Sequence, residues 1–447
     1  MNPIFLSLVS VLAIAQVALP KRWAFIPLIV AGCHLSNIEI VPQFSTARLL
    51  ILIGLIRALA QGNFNWSSSI RLDKLMLVFS CLIVLSAVGH KPDEWSPSPF
   101  SYRIGLVLNI VGSYLYGRAY LPDFGAFRRF ACSLPLIILP LAIFMNYEMR
   151  TEHNLYAYIG AGKEISTSRE DKIRAQGPFR GPILAGSLGA TTLPLAFILW
   201  MSGRKILGVI GVASSFGVVL ACNSSGPLAA VAVTMAAIGL WPWRRFLKHL
   251  LWTLVFLALL FNVVKGRGPW YLMASIDLVG GSTGWHRAKL IDQGFIYLDE
   301  WWLFGTDYTR HWMGTGVSWS PNHVDMTNYY LHLGVIGGLP VTLCLFGFLF
   351  VAFKMLTDRM VQLRITGDRQ ERFLWWASTA LAAHAISFVS ISYYDQMYIY
   401  FYTLLAAVPG MVASPSEAEL LSAAQGNSAE QPASEPIPTV KPLRYYS

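Results

Sequence analysis

The sequence predicts an all-α polytopic membrane protein, a bundle of about 12–13 transmembrane helices with a large external loop capping the site. Hydrophobic residues make up 55% of the 447 positions and charged residues only 13%, whereas a soluble domain carries roughly 25% charged residues. Apolar runs of roughly 20 residues recur along the chain, and Lys and Arg concentrate in alternate loops. Together these observations exclude a multidomain soluble enzyme, a disordered chain and a disulfide-stapled secreted module.

The apolar runs give thirteen candidate spans, each long enough or nearly long enough to cross a bilayer. Gly and Pro recur inside them, as helix bundles in lipid tolerate. The predicted spans are 4–20, 22–40, 46–61, 75–89, 102–120, 130–147, 182–202, 205–222, 226–242, 246–264, 326–353, 373–391 and 395–412.

The distribution of positive charge predicts which loops face the cytoplasm. The connections before 75, after 120, after 202, after 242 and after 353 are rich in Lys and Arg, while 90–99, 223–225 and 392–395 are nearly free of them. The positive-inside rule places the basic set in the cytoplasm. The net charge of +10 is therefore interpreted as a topology signal and not as a nucleic-acid-binding surface.

Two long loops, about 148–181 and 265–325, fall on the opposite, external side. The second contains repeated Trp, Gly and Tyr, which favours a folded cap over a site. Residues 1–412 thus form the helix bundle with its external loops. Residues 413–447 are rich in Ser, Ala, Pro, Glu and Gln, and we expect a disordered cytoplasmic tail.

The cysteine pattern and the missing motifs argue against disulfides, a zinc site and ATP hydrolysis. The five cysteines lie in or beside apolar stretches without metal-ligand spacing, so we expect small buried hydrophobes and neither a disulfide nor a zinc site. The sequence contains no Walker-type phosphate loop and no H-E-x-x-H. It therefore predicts no ATP hydrolysis, no metal and no cofactor.

Cations and histidines gather in the two external loops. The first loop ends R-A-Q-G-P-F-R-G-P, and the second carries G-W-H-R-A-K-L followed by a further basic pair. Arginine suits phosphate because its planar fork donates two parallel hydrogen bonds and keeps its charge. These loops predict a site for a diphosphate-linked substrate, with Arg174, Arg180, His286 and Arg310 as candidate binding residues and Arg287 as a candidate catalytic residue.

The large loop ends in S-P-N-H-V-D-M-T-N-Y-Y-L-H-L-G-V-I-G-G, which runs into a span. If a helix begins near Pro321, His323 and Thr327 share one face, and Asp325 lies in the first turn, where the helix dipole favours a carboxylate. Asp325 is then either a simple helix cap or a catalytic group. Asn328 and Tyr330 join the candidate substrate-binding residues.

Three stretches of this chain resemble the bacterial O-antigen ligase and O-antigen or exopolysaccharide polymerase superfamily. R-A-Q-G-P-F-R-G-P (174–182) is similar to that family's R-x-x-G-x-F segment, and A-C-N-S-S-G-P-L (221–228) resembles its Ser-rich turn. T-N-Y-Y-L-H-L-G-V-I-G-G (327–338) matches the family's H-N-x-Y-L stretch at Asn328, Tyr330 and Leu331, and its glycine turn at Gly338. The family's key histidine position is Thr327 here, so either His323 or Asp325 takes the role of the base.

The resemblance implies a multi-pass protein of the bacterial inner membrane with a periplasmic active site. The donor would be a glycan on undecaprenyl diphosphate, and an acceptor hydroxyl, on another glycan or on lipid A core, would attack the anomeric carbon with inversion. Arg174, Arg180 and Arg287 would neutralise the departing diphosphate, and His323 or Asp325 would deprotonate the acceptor. Trp285, Trp301, Trp302 and Trp319 are candidates for stacking on sugar rings or for anchoring at the interface.

Two other classes remain open. A flippase or transporter of lipid-linked sugars would share the helices and basic loops but needs a polar path through the bilayer. A non-catalytic subunit of an envelope complex would leave the arginine-rich external loops without a role. The sequence does not separate a ligase from a polymerase, because these differ in the acceptor and no acceptor motif is recognisable.

Overall fold

The structure, a computed structural model, describes residues 2–35, 39–41, 44–64, 70–92, 98–169, 171–275, 284–317, 320–416 and 419. Most of these residues lie in α-helices, and three short antiparallel hairpins occur in the connections. The helices are α1 (Pro3–Ala18), α2 (Ile26–His34), α3 (Thr46–Ala60), α4 (Ile70–Leu85), α5 (Pro99–Tyr120), α6 (Phe124–Thr151), α7 (Pro182–Met201), α8 (Lys205–Ala221), α9 (Ser225–Leu240), α10 (Leu247–Lys265), α11 (Gly284–Ile296), α12 (Leu298–Trp301), α13 (Tyr329–Gly337), α14 (Leu339–Thr366), α15 (Gln370–Ser390) and α16 (Gln396–Ala413). The strands are β1 (Glu39–Val41), β2 (Phe44–Ser45), β3 (Thr167–Arg169), β4 (Lys172–Arg174), β5 (Gly316–Val317) and β6 (Ser320–Val324).

Seven helices in the described part of the chain are long and apolar enough to cross a membrane, which is consistent with an all-α membrane protein. Three more, α1, α8 and α9, are apolar and 16 or 17 residues long. The predicted span 22–40 is wrong, because α2 has nine residues and reaches only about 14 Å at 1.5 Å per residue. The total of about 12–13 spans stays a prediction.

The predicted span 326–353 is broken in two by Gly338. This glycine has φ 85° and ψ 172°, and a Cβ atom there would lie 2.1 Å from the backbone oxygen of Leu303. Only glycine adopts such a conformation in so little space. α13 therefore ends before the glycine, and the membrane-length helix α14 starts after it.

The basic connections meet at one end of the bundle. Glu371 bridges two of them, accepting from Arg244 Nε at 2.8 Å and from Arg364 Nε at 2.8 Å. The start of α6 joins the end of α16, where the Phe124 amide donates to Ser414 Oγ at 2.9 Å. This clustering is what the alternation of loop charge predicts.

The helices differ greatly in how much of their surface other helices cover. α16 is buried along nearly its whole length against its neighbours. In α10, by contrast, no residue is buried within the described chain, and the helix mainly touches the short turns at its own two ends. An apolar helix that is exposed on every side is compatible with lipid as the solvent.

The segment 265–325 contains a folded element with a small apolar core. Its described parts include the 3-10 turns 269–275 and 310–312 together with α11, α12 and the β5–β6 hairpin. Buried Leu290, Trp301, Trp312 and Val324 pack together and against Val335 of α13. The predicted 413–447 tail lies outside the described residues except for 413–416 and 419.

Candidate active site

The R-A-Q-G-P-F-R-G-P segment (174–182) is held in place from three sides. Glu148 at the end of α6 is fully buried and accepts hydrogen bonds from the backbone amides of Gln176 at 3.0 Å and Gly177 at 2.9 Å. Gln396 at the start of α16 donates to the Pro178 oxygen at 2.9 Å. Gly177 has φ 56°, a conformation that favours glycine. These contacts fix the backbone between the two arginines.

The A-C-N-S-S-G-P-L turn (221–228) packs directly against the same segment. The Ala175 amide donates to the Ala221 oxygen at 3.0 Å, and Asn223 Nδ2 donates to the Ile173 oxygen at 2.7 Å. Arg174 Nε lies 3.5 Å from the Cys222 oxygen. Two of the three stretches singled out in the sequence are therefore in contact, because the end of α8 meets strand β4.

Arg287 on α11 lies close to Arg174 and Arg169. We call these three residues the arginine cluster. Burial, and then the positive charges of Arg174 and Arg169, lower the pKa of Arg287 to about 10 against the opposite effect of Asp325. Arg287 is 6% exposed, and its Nε is buried without a hydrogen-bond partner among the described residues. Burial also lowers the pKa of Arg174. A group of three guanidinium ions, one of them buried and only partly compensated by Asp325, is well suited to bind a polyvalent anion.

The segment before α13 is a strand and not a helix. The predicted helix start near Pro321 is wrong, because Ser320–Val324 pairs with Gly316–Val317 in an antiparallel hairpin. Asn328 is the true N-cap of α13, and its side chain accepts from the Leu331 amide at 3.1 Å. His323 and Thr327 therefore do not share a helix face, and Asp325 is not in a first helical turn. His323 lies in β6, and Asp325 lies in the connection between that strand and α13.

Asp325 lies beside the arginine cluster and is tied to α11 through its backbone. Its carbonyl oxygen is 3.2 Å from His286 Nε2, and Thr315 Oγ1 is 3.3 Å from His286 Nδ1. The carboxylate of Asp325 is exposed and close enough to Arg287 to favour that residue's charged form. His286 thus positions the loop, while the Asp325 side chain is open to a ligand.

Arg180 belongs to a second group of residues, which includes Tyr394 and Asp395. Arg180 Nη2 lies 3.3 Å from Asp395 Oδ2, and its guanidinium carbon stacks 5.1 Å from the centroid of the Tyr394 ring. Tyr394 is in turn within electrostatic range of Asp325. The loop between α15 and α16 also contacts the large loop, since the Ser392 hydroxyl donates to the Met326 oxygen at 2.5 Å.

His332 is the histidine that the sequence analysis did not select. Burial, and then His323 and Arg180, lower its pKa to about 4, so the imidazole is neutral at pH 7. Its Nε2 is buried and has no hydrogen-bond partner among the described residues. The ring also contacts Tyr394, with the centroids 5.1 Å apart. His332 therefore faces the region between His323 and Arg180 with an unused nitrogen.

Three of the predicted binding residues have structural contacts instead. Asn328 caps α13, as described above. Tyr330 donates its hydroxyl to the Ala385 oxygen at 3.0 Å and stacks on Phe346. Arg310 donates to the backbone oxygens of Met313 at 2.8 Å and Gly314 at 2.9 Å. Its guanidinium therefore stabilises the turn that precedes β5. No contact in the described chain joins these three to the arginine cluster.

Of the tryptophans predicted to stack on sugars or to anchor at the interface, one is buried and two are exposed. Trp301 is 4% exposed and donates to the Gly294 oxygen at 2.9 Å, so it belongs to the core of the large loop. Trp285 and Trp302 are more than half exposed. Trp319 lies outside the described residues.

Asp395 and Arg169 also escaped the sequence analysis. Asp395 has φ 41° and ψ −102°, a rare conformation for a residue with a side chain. The connection 392–395 is nearly free of positive charge, and the sequence analysis used it only to predict which loops face the cytoplasm. Arg169 and Arg174 belong to opposite strands of one hairpin, a relationship that spacing alone does not reveal.

Searches against protein-family models and against curated proteins find no match to this chain.

Proposed function

We propose that this protein is a membrane glycosyltransferase that moves a glycan from undecaprenyl diphosphate to an acceptor hydroxyl, with inversion and without a metal. The acceptor is either another lipid-linked glycan, as in an O-antigen or exopolysaccharide polymerase, or lipid A core, as in an O-antigen ligase. The proposal places the protein in the bacterial inner membrane with its site on the periplasmic side. It rests on the site geometry and on the resemblance of its three stretches.

The observation that carries the proposal is the buried Arg287 Nε, which has no hydrogen-bond partner among the described residues. A buried arginine normally has a carboxylate or carbonyl partner, because desolvating an unpaired cation is costly. Here two more arginines raise that cost, and the exposed carboxylate of Asp325 offsets only part of it. A diphosphate supplies the missing negative charge and the acceptors for the unused Nε.

The reaction needs positive charge where the leaving group departs. When the acceptor oxygen bonds to the anomeric carbon, the bond from that carbon to the diphosphate oxygen breaks, and negative charge develops on the diphosphate. Arg174 and Arg287 stabilise that charge, which is the usual source of large catalytic effects. Arg180 and His286 hold the donor and the loop around it.

The acceptor hydroxyl must lose its proton as it attacks. We propose His323 or Asp325 as the group that accepts it, a contribution typically of ~10²–10⁴-fold. Asp325 is exposed beside Arg287, and His323 is half-buried near His332. His332, neutral and with a free nitrogen, is the next candidate.

The direct test uses full-length protein in detergent with undecaprenyl-diphosphate-linked glycan and acceptor, without ATP or an ion gradient. We expect polymer or ligated product from the native protein and none from Arg287→Ala or Arg174→Ala. Arg245→Ala, an exposed arginine at the other end of the bundle, is the matched control. Native-level product in both site variants would refute the assignment, and transport of lipid-linked sugar without transfer would favour a flippase.

The base is tested by comparing Asp325→Asn, His323→Ala and His332→Gln in the same assay. The variant that lacks the base should lose at least ~10²-fold in kcat while retaining donor binding. If Asp325→Asn and His323→Ala are both as active as the native protein, neither is the base.

The acceptor is identified in cells. Surface glycan from a deletion strain should show short chains without polymer if the protein is a polymerase. Full-length polymer left on its lipid carrier would instead indicate a ligase.

A further inference from the structure

A second basic site lies at the opposite end of α6 from Glu148 and the arginine cluster. A concavity of about 440 Å³ is lined by Trp23, Gly125, Arg128, Arg129, Cys132 and Arg204. Four of these residues come from the first turns of α6, and Arg204 immediately precedes α8. The 28 residues of α6 span about 42 Å at 1.5 Å per residue. The two sites therefore lie at opposite ends of the bundle.

The three arginines of this concavity are not neutralised by carboxylates. Within the described chain no Asp or Glu forms an ion pair with Arg128, Arg129 or Arg204. The closest acidic residue along α6 is its N-cap Asp123, and that side chain accepts from the Ala126 amide at 2.7 Å. Arg129 Nε is buried without a hydrogen-bond partner among the described residues.

The rest of the lining is apolar or weakly polar. Trp23 contributes an indole ring of the kind that concentrates at membrane–water interfaces. Cys132 lies one helical turn beyond Arg128, on the side toward the membrane interior. A concavity that combines three arginines with the apolar side chains of Trp23 and Cys132 suits a molecule with a charged head and a hydrocarbon tail.

We propose that this concavity binds the phosphate headgroup of an anionic phospholipid from the leaflet at that end of the bundle. The phosphate accepts from Arg128, Arg129 and Arg204, the ring of Trp23 lies at the level of the glycerol, and the acyl chains continue along α6. The site does not depend on the glycosyltransferase proposal, because it shares no residue with it. A free phosphate ion would use the same guanidinium groups but would gain nothing from the apolar side chains.

The test measures lipid binding to full-length protein delipidated in a neutral detergent. Phosphatidylglycerol, phosphatidylcholine and inorganic phosphate are each titrated while bound lipid is counted by native mass spectrometry and thermal unfolding is followed. We expect phosphatidylglycerol to bind and to raise the unfolding temperature, as a ligand of the native state does. Phosphatidylcholine and millimolar phosphate should have little effect.

Two variants make the site falsifiable. Arg128→Gln/Arg129→Gln should weaken phosphatidylglycerol binding at least ~10-fold, since each basic residue near an anionic lipid contributes strongly. Arg204→Gln, in a loop, should weaken it less and leaves α6 untouched. Arg245→Gln/Arg369→Gln removes two exposed charges outside the concavity and is the matched control. Equal losses in the control, equal binding of phosphatidylcholine, or full competition by inorganic phosphate would each overturn the proposal.

Discussion

Arg180 Nη2 lies 3.3 Å from Asp395 Oδ2, so the segment before α7 is joined to the loop before α16 by an ion pair. The pair is partly open to solvent, with the Arg180 side chain 59% exposed. Exposed ion pairs contribute about 0–1 kcal/mol to stability. The positive φ of Asp395 indicates that the chain accepts strain to present this carboxylate. We therefore assign this carboxylate the role of holding Arg180.

The Arg180–Asp395 pair predicts opposite effects on donor binding. Arg180→Gln should raise the KM for the lipid-linked donor by ~10-fold, because a charge-assisted hydrogen bond is lost. Asp395→Asn should lower that KM, since the carboxylate competes with the diphosphate for Arg180 and asparagine tolerates the positive φ. Steady-state kinetics on purified protein checks both, and unfolding temperatures should barely change. An equal rise in KM for both variants would mean that the intact pair is what the donor requires.

Arg287 and Arg103 are both buried, and they should respond oppositely to replacement by methionine. Arg103 donates to the Ile336 oxygen at 2.9 Å and the Ser86 hydroxyl at 3.2 Å, so Arg103→Met should destabilise by about 1–3 kcal/mol. Arg287→Met removes a buried cation whose Nε has no hydrogen-bond partner among the described residues, and it should raise the free energy of unfolding by about 1 kcal/mol. It should also abolish transfer. Thermal unfolding without ligand measures both, and destabilisation by Arg287→Met would argue against an unpaired charge.

The lowered pKa of Arg287 also predicts a direction with pH. Burial lowers the pKa of Arg287 in the folded protein to about 10, below that of an exposed arginine, so above that pH the unfolded chain binds more protons. Stability contributed by Arg287 should therefore rise as the pH increases above about 10, and Arg287→Met should lose that rise. A bound diphosphate analogue should shift the folded pKa upward and reduce the slope. Unfolding measured over this pH range, with and without the analogue, tests the prediction.

Glu148 should be important for stability although it cannot touch the donor. Glu148→Gln places an amide group where the Gln176 and Gly177 amides and the Ser166 hydroxyl all donate. At least one donor is left unsatisfied, which should cost about 1–3 kcal/mol. Glu152→Gln, exposed at the end of α6, is the control. Thermal unfolding and limited proteolysis within 148–181 provide the measurement, and identical behaviour of the two variants would contradict the role given to Glu148.

Gly338 should tolerate substitution far less than Gly367, although both have positive φ. Gly367→Ala meets open space and should cost about 1 kcal/mol from the backbone alone. Gly338→Ala drives a methyl group into the Leu303 backbone oxygen and should cost several times as much. Unfolding temperature and the yield of folded protein compare the two, and similar values would show that the break between α13 and α14 is adaptable.

Local patterns in the sequence predict the helices better than they predict the site. The long apolar runs and the charged loops between them identify α6, α7, α14, α15 and α16, because hydropathy and length are properties of a contiguous segment. The hydropathy pattern runs through Gly338 because its neighbours are apolar on both sides, and only the family resemblance indicates a turn there. The strand at Ser320–Val324 was missed since its pairing depends on Gly316–Val317 and not on its own residues.

The residues of the site are likewise predicted only in part, because local patterns do not show which distant residues come together. Arg174 and Arg287 were chosen by residue type and motif, and the fold brings them together. Arg310 was chosen by the same criteria, but the carbonyls of its own turn occupy it. His332 of α13 contacts Tyr394 in the α15–α16 connection, and Asp395 of that connection pairs with Arg180 before α7, so both depend on residues far apart in the chain. Such long-range contacts leave no local signature.

The isolation of α10 has a practical consequence. Because no residue of α10 is buried within the described chain, no described neighbour imposes a shape on its side chains. The segment is apolar and long enough to cross a membrane, and those two properties are the main constraints on its sequence. A foreign apolar helix of the same length should serve equally well there, which makes it a convenient place for a cross-linking or fluorescent label.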